Sequence, residues 1–246
     1  MDLFKSVFKS VFSRRDVKIF LSFTLLPILV PVLSEFTEGA NPEITKNFLS
    51  FLDAAVNTQF RFVLPVLLFS LVISSVFKDE IDLGIMFLYK DIKRSKIFNA
   101  KLLSLLAVYS IFLIGTVVIS LISYYGMMLP RGNVSANFIS PKNTEAIYAL
   151  FSLLTTIGLN LITTVLVVMV SIKSKPIQSV LSGVFFSLFA STAPMWIGIK
   201  YLFPNGYAKL SQTNFMFAFT VAAAISVIYF VVFYIKGKRK FDSVEF

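Results

Sequence analysis

Uncharged, predominantly apolar runs recur six times along this chain, at residues 19 to 34, 62 to 77, 102 to 129, 146 to 172, 176 to 199 and 210 to 235. A bilayer hydrocarbon core of about 30 Å takes roughly 20 helical residues at about 1.5 Å each, so the runs are read as membrane-spanning helices, spans one to six. The first two have only sixteen residues and need Lys18 and Arg61 to extend them by snorkelling; the third has twenty-eight, ends at Pro130, and must tilt or project beyond the lipid. Ahead of the first run, Leu3, Phe4, Val7, Phe8, Val11 and Phe12 form one apolar helical stripe with Lys5 and Lys9 off it. That pattern predicts an amphipathic helix lying in the membrane interface. The whole reads as an all-α membrane protein: an interfacial helix over residues 1 to 15, a six-span bundle over 16 to 235 and a basic tail over 236 to 246.

Basic residues orient the bundle. Of the 23 Lys and Arg, five lie before span one, six between residues 78 and 101, two in the 173 to 175 turn and four in the tail, while the alternate segments share the remaining six across greater length. The positive-inside rule then places both termini in the cytoplasm, which requires an even number of spans. The net charge of +10 is spent within a few positions of span ends, as anchoring to lipid headgroups requires, so nucleic acid is not an expected partner. Residues 1 to 18 carry charges every few positions, and the first span is therefore expected to stay in the protein rather than act as a cleaved signal. The Cys-free, Lys- and Phe-rich composition points to a bacterial plasma membrane.

The chemical repertoire is narrow. Without Cys or His there is no disulfide, thiolate or imidazole metal site, Cys nucleophile or His-based triad. None of the six runs holds an ionisable group of the kind that ion-coupled transport or intramembrane hydrolysis uses. No phosphate-binding loop occurs, the only Gly-Lys pair being Gly237-Lys238 in the tail. The chain is not expected to be an enzyme or to hold a cofactor or metal; if it works with ATP, the ATP and its Mg²⁺ sit on another chain.

Within the spans, two stripes stand out. Span four carries Ser152, Thr156, Asn160 and Thr164 four residues apart, and span five carries Ser179, Gly183, Ser187 and Ser191 at the same step. Small residues let helix backbones approach and hydroxyls bond across, so the span-five stripe reads as helix packing; Thr156, Asn160 and Thr164 are the candidates for a translocation path, since Asn160 is the one amide well inside a span. Pro27 and Pro31 in span one, Pro65 in span two and Pro194 in span five are expected to kink or interrupt their helices.

Residues 76 to 101 are the most informative segment. Acids come first (Asp79, Glu80, Asp82) and bases later (Lys90, Lys93, Arg94, Lys96, Lys101), an order that suits a short interfacial helix over residues 79 to 90 with Ile81, Ile85 and Leu88 on one side. The segment resembles the signature loop of ABC-2-type transporter permeases, Glu-x-Glu-x-Gly-Thr-Leu followed by a Pro, a basic residue and a Lys entering span three. The matching positions are Glu80, Asp82, Gly84 and Met86, then Arg94 or Lys96, and Lys101; Ile85 stands where the family has Thr, and the Pro near Asp91 is missing. The likeness extends to the amphipathic N-terminal helix, the six spans and the Leu202-Phe-Pro204-x-x-Tyr207 segment before span six, where the family has a re-entrant or interfacial element.

That resemblance implies the membrane subunit of an ATP-driven ABC exporter. Two permease chains, identical or paralogous, would pair, each resting on a separate ABC-type ATPase. Glu80, Asp82, Gly84, Arg94 and Lys96 would form the ATPase-coupling loop, and compact members of the family commonly export, or protect against, amphipathic and antimicrobial peptides. With Glu80 as a docking contact, Glu80→Lys is expected to leave insertion and abundance intact and weaken ATPase capture. Two alternatives stand beside this reading: the membrane substrate-binding subunit of a vitamin importer, which would lack the acidic-to-basic loop, and a non-transporting immunity or interaction protein, which would have no ATPase partner.

Overall fold

A computed structural model describes residues 3–33, 47–84, 92–132 and 134–244, and all regular structure among them is helical. The elements are α1 (Leu3–Phe12), α2 (Arg15–Ser22), α3 (Leu26–Leu33), α4 (Phe48–Arg61), α5 (Val63–Ser74), α6 (Glu80–Asp82), α7 (Arg94–Leu121), α8 (Asn143–Ser171), α9 (Pro176–Thr192), α10 (Ala208–Ser211) and α11 (Phe215–Asp242).

Among the described residues, four continuous helical stretches are long and apolar enough to cross a membrane: Arg94–Arg131, Asn143–Ser171, Pro176–Met195 and Phe215–Asp242. A fifth crossing is made by α4 and the Val63–Asp82 stretch if that pair, bent by 61°, counts as one span. The described residues thus form a helical structure with several helices suited to a membrane. Their boundaries run past the apolar runs, because backbone hydrogen bonding continues a helix into water once a span has nucleated it. The Arg94–Arg131 stretch begins eight residues before the third run and, at 38 residues, is about 57 Å long, well beyond the hydrocarbon core.

Proline accounts for the breaks. Pro65 has no amide hydrogen to give the Arg61 carbonyl, so the helix cannot run from α4 into α5 unbroken; Phe62 goes extended (φ −74°, ψ 115°) and the direction changes there. Span one is interrupted as well: a 3₁₀ turn at Phe23–Leu25 separates α2 from the Pro-containing α3. Pro194 ends α9 in a 3₁₀ turn over Ala193–Met195. The Leu202–Tyr207 region is a string of short 3₁₀ and α turns, with Phe203 and Pro204 buried.

Both described chain ends lie at the same end of the bundle. Phe241 of α11 packs on Phe77 and Phe98, Arg94 donates to the Asp242 carbonyl (2.6 Å), and Arg14 reaches Glu80. At the opposite end Arg131 donates to the Pro31 carbonyl (2.8 Å), so the broken α2–α3 segment runs between the two ends, from Arg14 to Pro31.

Part of the N-terminal stripe turns inward. Val7 and Val11 are buried against α7, Phe4, Phe8 and Phe12 stack along the helix, and Phe4 and Phe12 stay exposed. Phe20 of α2 lies between Phe69 of α5 and Phe112 of α7 with ring centroids 4.5 Å from each, tying three helices together. Outward, α9 and α11 present Phe185, Met216, Phe217, Val227 and Ile228, a surface suited to lipid.

Of the interfacial helix expected over residues 79 to 90, only residues 79 to 84 are among those described, and they belong to the end of the preceding helix. The helix of α5 continues through a π turn at Ser75–Asp79 into α6 and stops at Gly84, whose φ of +67° suits a residue without Cβ just past a helix end. Ile85, Met86, Leu88 and Asp91 lie outside the described residues. The loop is also shorter than residues 78 to 101, since its last eight residues already belong to α7.

Candidate functional site

Two polar assemblies are built into the bundle, one at the end that holds the chain termini and one in its interior. The first joins three elements distant in sequence. Glu80 sits at the start of α6 and is 9% exposed; Arg14 precedes α2; Lys101, in the second turn of α7, is 1% exposed. Arg14 Nη2 donates to Glu80 Oε1 and Nη1 to Ser75 Oγ (3.1 Å), while Lys101 Nζ lies 2.7 Å from Glu80 Oε2 and 2.8 Å from the Val76 carbonyl oxygen. The Lys101 ammonium also stands 5.4 Å from the centre of the Phe77 ring. One carboxylate thus holds two cations, and the π turn lets Val76 and Ser75 face both of them.

This geometry divides the coupling residues. Glu80 is turned inward with both oxygens engaged, so it is a clamp within the chain rather than a free docking contact. The expectation that Glu80→Lys leaves abundance intact is corrected for the same reason: a third cation would be forced against Arg14 and Lys101 in a buried site. Asp82 is the exposed acid of the expected coupling residues, its side chain 54% accessible and paired with Lys78 at 2.7 Å. Gly84, Arg94 and Lys96 are exposed as well, with Arg94 tied to the last turn of α11.

The second assembly contains the span-four stripe. Thr164 Oγ1 donates to the Asn160 carbonyl (2.8 Å), Asn160 Nδ2 to the Thr156 carbonyl (3.0 Å) and Thr156 Oγ1 to Asn57 Oδ1 (3.0 Å); Asn57 Nδ2 in turn reaches Asp53 Oδ1 (2.7 Å) and Ser152 Oγ (3.1 Å). A separate pair of bonds runs from Thr116 through Gln59 to the Phe23 carbonyl. Thr156, Asn160 and Thr164 therefore form one ladder along α8, which Thr156 and Ser152 tie to Asn57 of α4. Next to Gln59, Asn160 and Thr164 is a cavity of about 30 Å³, room for about one or two waters and not for a peptide side chain.

Asp53, Asn57 and Gln59 were missed by counting uncharged runs, because Asp53 interrupts the run and left α4 in an extramembrane segment. The signal was there: Phe48, Leu49, Phe51, Leu52, Ala55, Val56 and Phe60 recur at helical spacing, with Asp53 and Asn57 one turn apart on another face. The ladder makes a prediction. Asn57→Leu leaves Thr156, Ser152 and Asp53 short of a partner in a confined site and should cost about 1–3 kcal/mol, read as a lower unfolding midpoint in detergent; unchanged stability would show that the ladder is not holding α4 to α8.

The span-five stripe faces into the chain. Ser179 and Ser187 are almost wholly buried, and a Cβ on Gly183 would run into Ser70 Oγ of α5 and come within 2.7 Å of Val167 Cγ2 of α8. The absent side chain is what lets α9 lie against both helices.

No family model, curated protein or solved structure matches the chain.

Proposed function

We propose that this chain is the membrane-spanning permease subunit of an ATP-driven ABC exporter in a bacterial plasma membrane, with amphipathic or antimicrobial peptides as its cargo. The observation that carries the reading is the Arg14–Glu80–Lys101 clamp. Glu80 and Lys101 are two of the positions on which the permease resemblance rests, and their ion pair makes α6 and the base of α7 one mechanical unit, with Arg14 adding the N-terminal helices. A chain that receives work from a soluble ATPase needs such a rigid foot, because a push on a loose loop would be absorbed locally. The surface offered to the ATPase is then Asp82, Gly84, Arg94 and Lys96.

In this reading the broken α2–α3 segment is a sixth crossing, both termini are cytoplasmic, and a second permease chain, a copy or a paralogue, completes the pathway. ATP and Mg²⁺ belong to the ATPase, and this chain binds neither. The seam between α4 and α8 is the element that parts when the path opens, exchanging its hydrogen bonds for contacts with cargo; Thr156, Ser152 and Asn57 are the groups released, one turn from Asn160.

Purification of the tagged chain from its native membranes in mild detergent tests the proposal. An ABC-type ATPase should be recovered in near-equal amount, and ATP hydrolysis in proteoliposomes should rise with an amphipathic cationic peptide. A chain that purifies without any nucleotide-binding partner, from cells whose peptide tolerance does not depend on it, would overturn the assignment. Asp82→Lys should lower ATPase recovery at unchanged abundance, since it replaces the exposed acid by a charge that also repels Lys78.

Topology has its own test. The chain has no Cys, so Ser135→Cys and Ser174→Cys each introduce the only thiol. A membrane-impermeant thiol reagent on intact cells should label position 135 and spare position 174; the reverse pattern would invert the orientation.

A further inference from the structure

A slot of about 210 Å³ lies between α2, the stretch from α5 through its π turn, and the start of α9, well above the room a single water needs. Its floor carries Ser74, which is 1% exposed and whose Oγ has no hydrogen-bond partner. A buried hydroxyl without a partner is costly, and its position against an open volume marks a place where a polar ligand group belongs. Ser75 beside it is already committed, accepting from Arg14 and donating to the Val72 carbonyl. Two exposed carboxylates, Asp16 and Asp79, line the same slot, and neither has an ion-pair partner among the described residues.

The chemistry changes in order along the slot. From Leu68 through Leu71 and Ser74 to Asp79 the wall covers twelve residues, about 16 Å of helix, passing from aliphatic to hydroxyl to carboxylate. Helix α2 repeats the gradient from Ile19 to Asp16 one turn away. Ile19 and Leu71 are also exposed on the outer surface, so the aliphatic end of the slot is continuous with the lipid-facing side. A membrane lipid passes through the same order from acyl chain to headgroup. The two carboxylates repel an anionic headgroup, whereas a primary ammonium brings three N–H donors, one for each acid and one for Ser74. A quaternary ammonium brings none. Exposed Arg15 and Lys18 flank Asp16 in sequence and exposed Lys175 precedes Pro176, so cations for the phosphate of a zwitterionic lipid stand within two residues of the slot's lining.

We propose that this slot is a binding site for a primary-ammonium phospholipid, with Asp16 and Asp79 accepting from the ammonium and Ser74 completing its coordination. A lysine of a partner protein carries the same head, but it arrives from the aqueous side and has no use for the aliphatic end at Ile19 and Leu68.

The test uses the full chain in nanodiscs and native mass spectrometry, titrating phosphatidylethanolamine against its mono-, di- and trimethylated forms. Retention should fall stepwise with each lost donor, reaching at least about tenfold between phosphatidylethanolamine and phosphatidylcholine, since three charge-assisted hydrogen bonds are lost and a single one is worth about that much. Asp16→Asn with Asp79→Asn should flatten the series without changing the elution profile. Equal retention of all four lipids by the unsubstituted chain overturns the site, and that arm decides the matter even if the double variant fails to fold. A series that survives in a well-folded double variant also overturns it. Equal retention accompanied by lost ATPase capture in the double variant would assign the acids to a partner's lysine instead.

Discussion

Glu80→Gln should be the most damaging isosteric change in this chain, lowering stability by about 3–5 kcal/mol, the usual cost of removing one member of a buried ion pair. The reason is what it leaves behind. Lys101 is 1% exposed and Arg14 three-quarters buried at its side chain, and both lose their only shared anion. Neither can move to solvent without dragging α7 or the α1–α2 turn, so the foot of the bundle loosens. The expected observation is a large fall in monodisperse protein after detergent extraction. The compensated pair Glu80→Gln with Lys101→Met should recover part of the loss, because the buried cation leaves with the buried anion. Equal stability of Glu80→Gln and the unsubstituted chain would show the clamp to be incidental, and it would take the mechanical argument for the exporter with it.

Gly183→Leu is expected to have a comparable effect by another route. The first atom of the new side chain already meets Ser70 Oγ and Val167 Cγ2, on two different helices, so no rotamer of leucine avoids them. Overpacking of this kind costs about 1–3 kcal/mol when neighbours can shift, and more where both walls are helix faces. Phe185→Leu is the control: Phe185 is 61% exposed on the same helix, and its replacement should be silent. Gly183→Ala should be milder, and Ser70→Ala should rescue it in part by removing the nearest colliding atom. If Gly183→Leu and Phe185→Leu yield equally folded protein by size-exclusion profile and unfolding midpoint, α9 does not pack on α5 and α8 as described.

These two residues mark different degrees of legibility in the sequence. Gly183 was readable as a packing residue because its stripe repeats every four positions, which puts four small residues on one helix face whatever lies opposite. Which helices lie opposite was not readable, since that depends on how α5 and α8 are rotated about their own axes. The acidic-to-basic order of its loop, with the likeness to the permease signature, predicts Glu80 as an outward docking contact. Its actual partners lie 66 residues upstream and in the second turn of α7, and nothing local says that three charges so far apart meet.

What the sequence by itself determined is the helical membrane character and the placement of the long helices, α7, α8, α9 and α11, because run length against bilayer thickness is a local property of the chain. It also announced the interruptions at Pro65 and Pro194, where a missing amide hydrogen acts on its own turn. Only the tertiary structure decided that α4 enters the bundle, that Asp53 and Asn57 meet the Thr156 stripe, that Glu80 closes on Arg14 and Lys101, and that Ser74 is left without a partner beside two acids. Periodicity states which residues share a face; the register and rotation that bring two faces together come from packing the whole bundle at once.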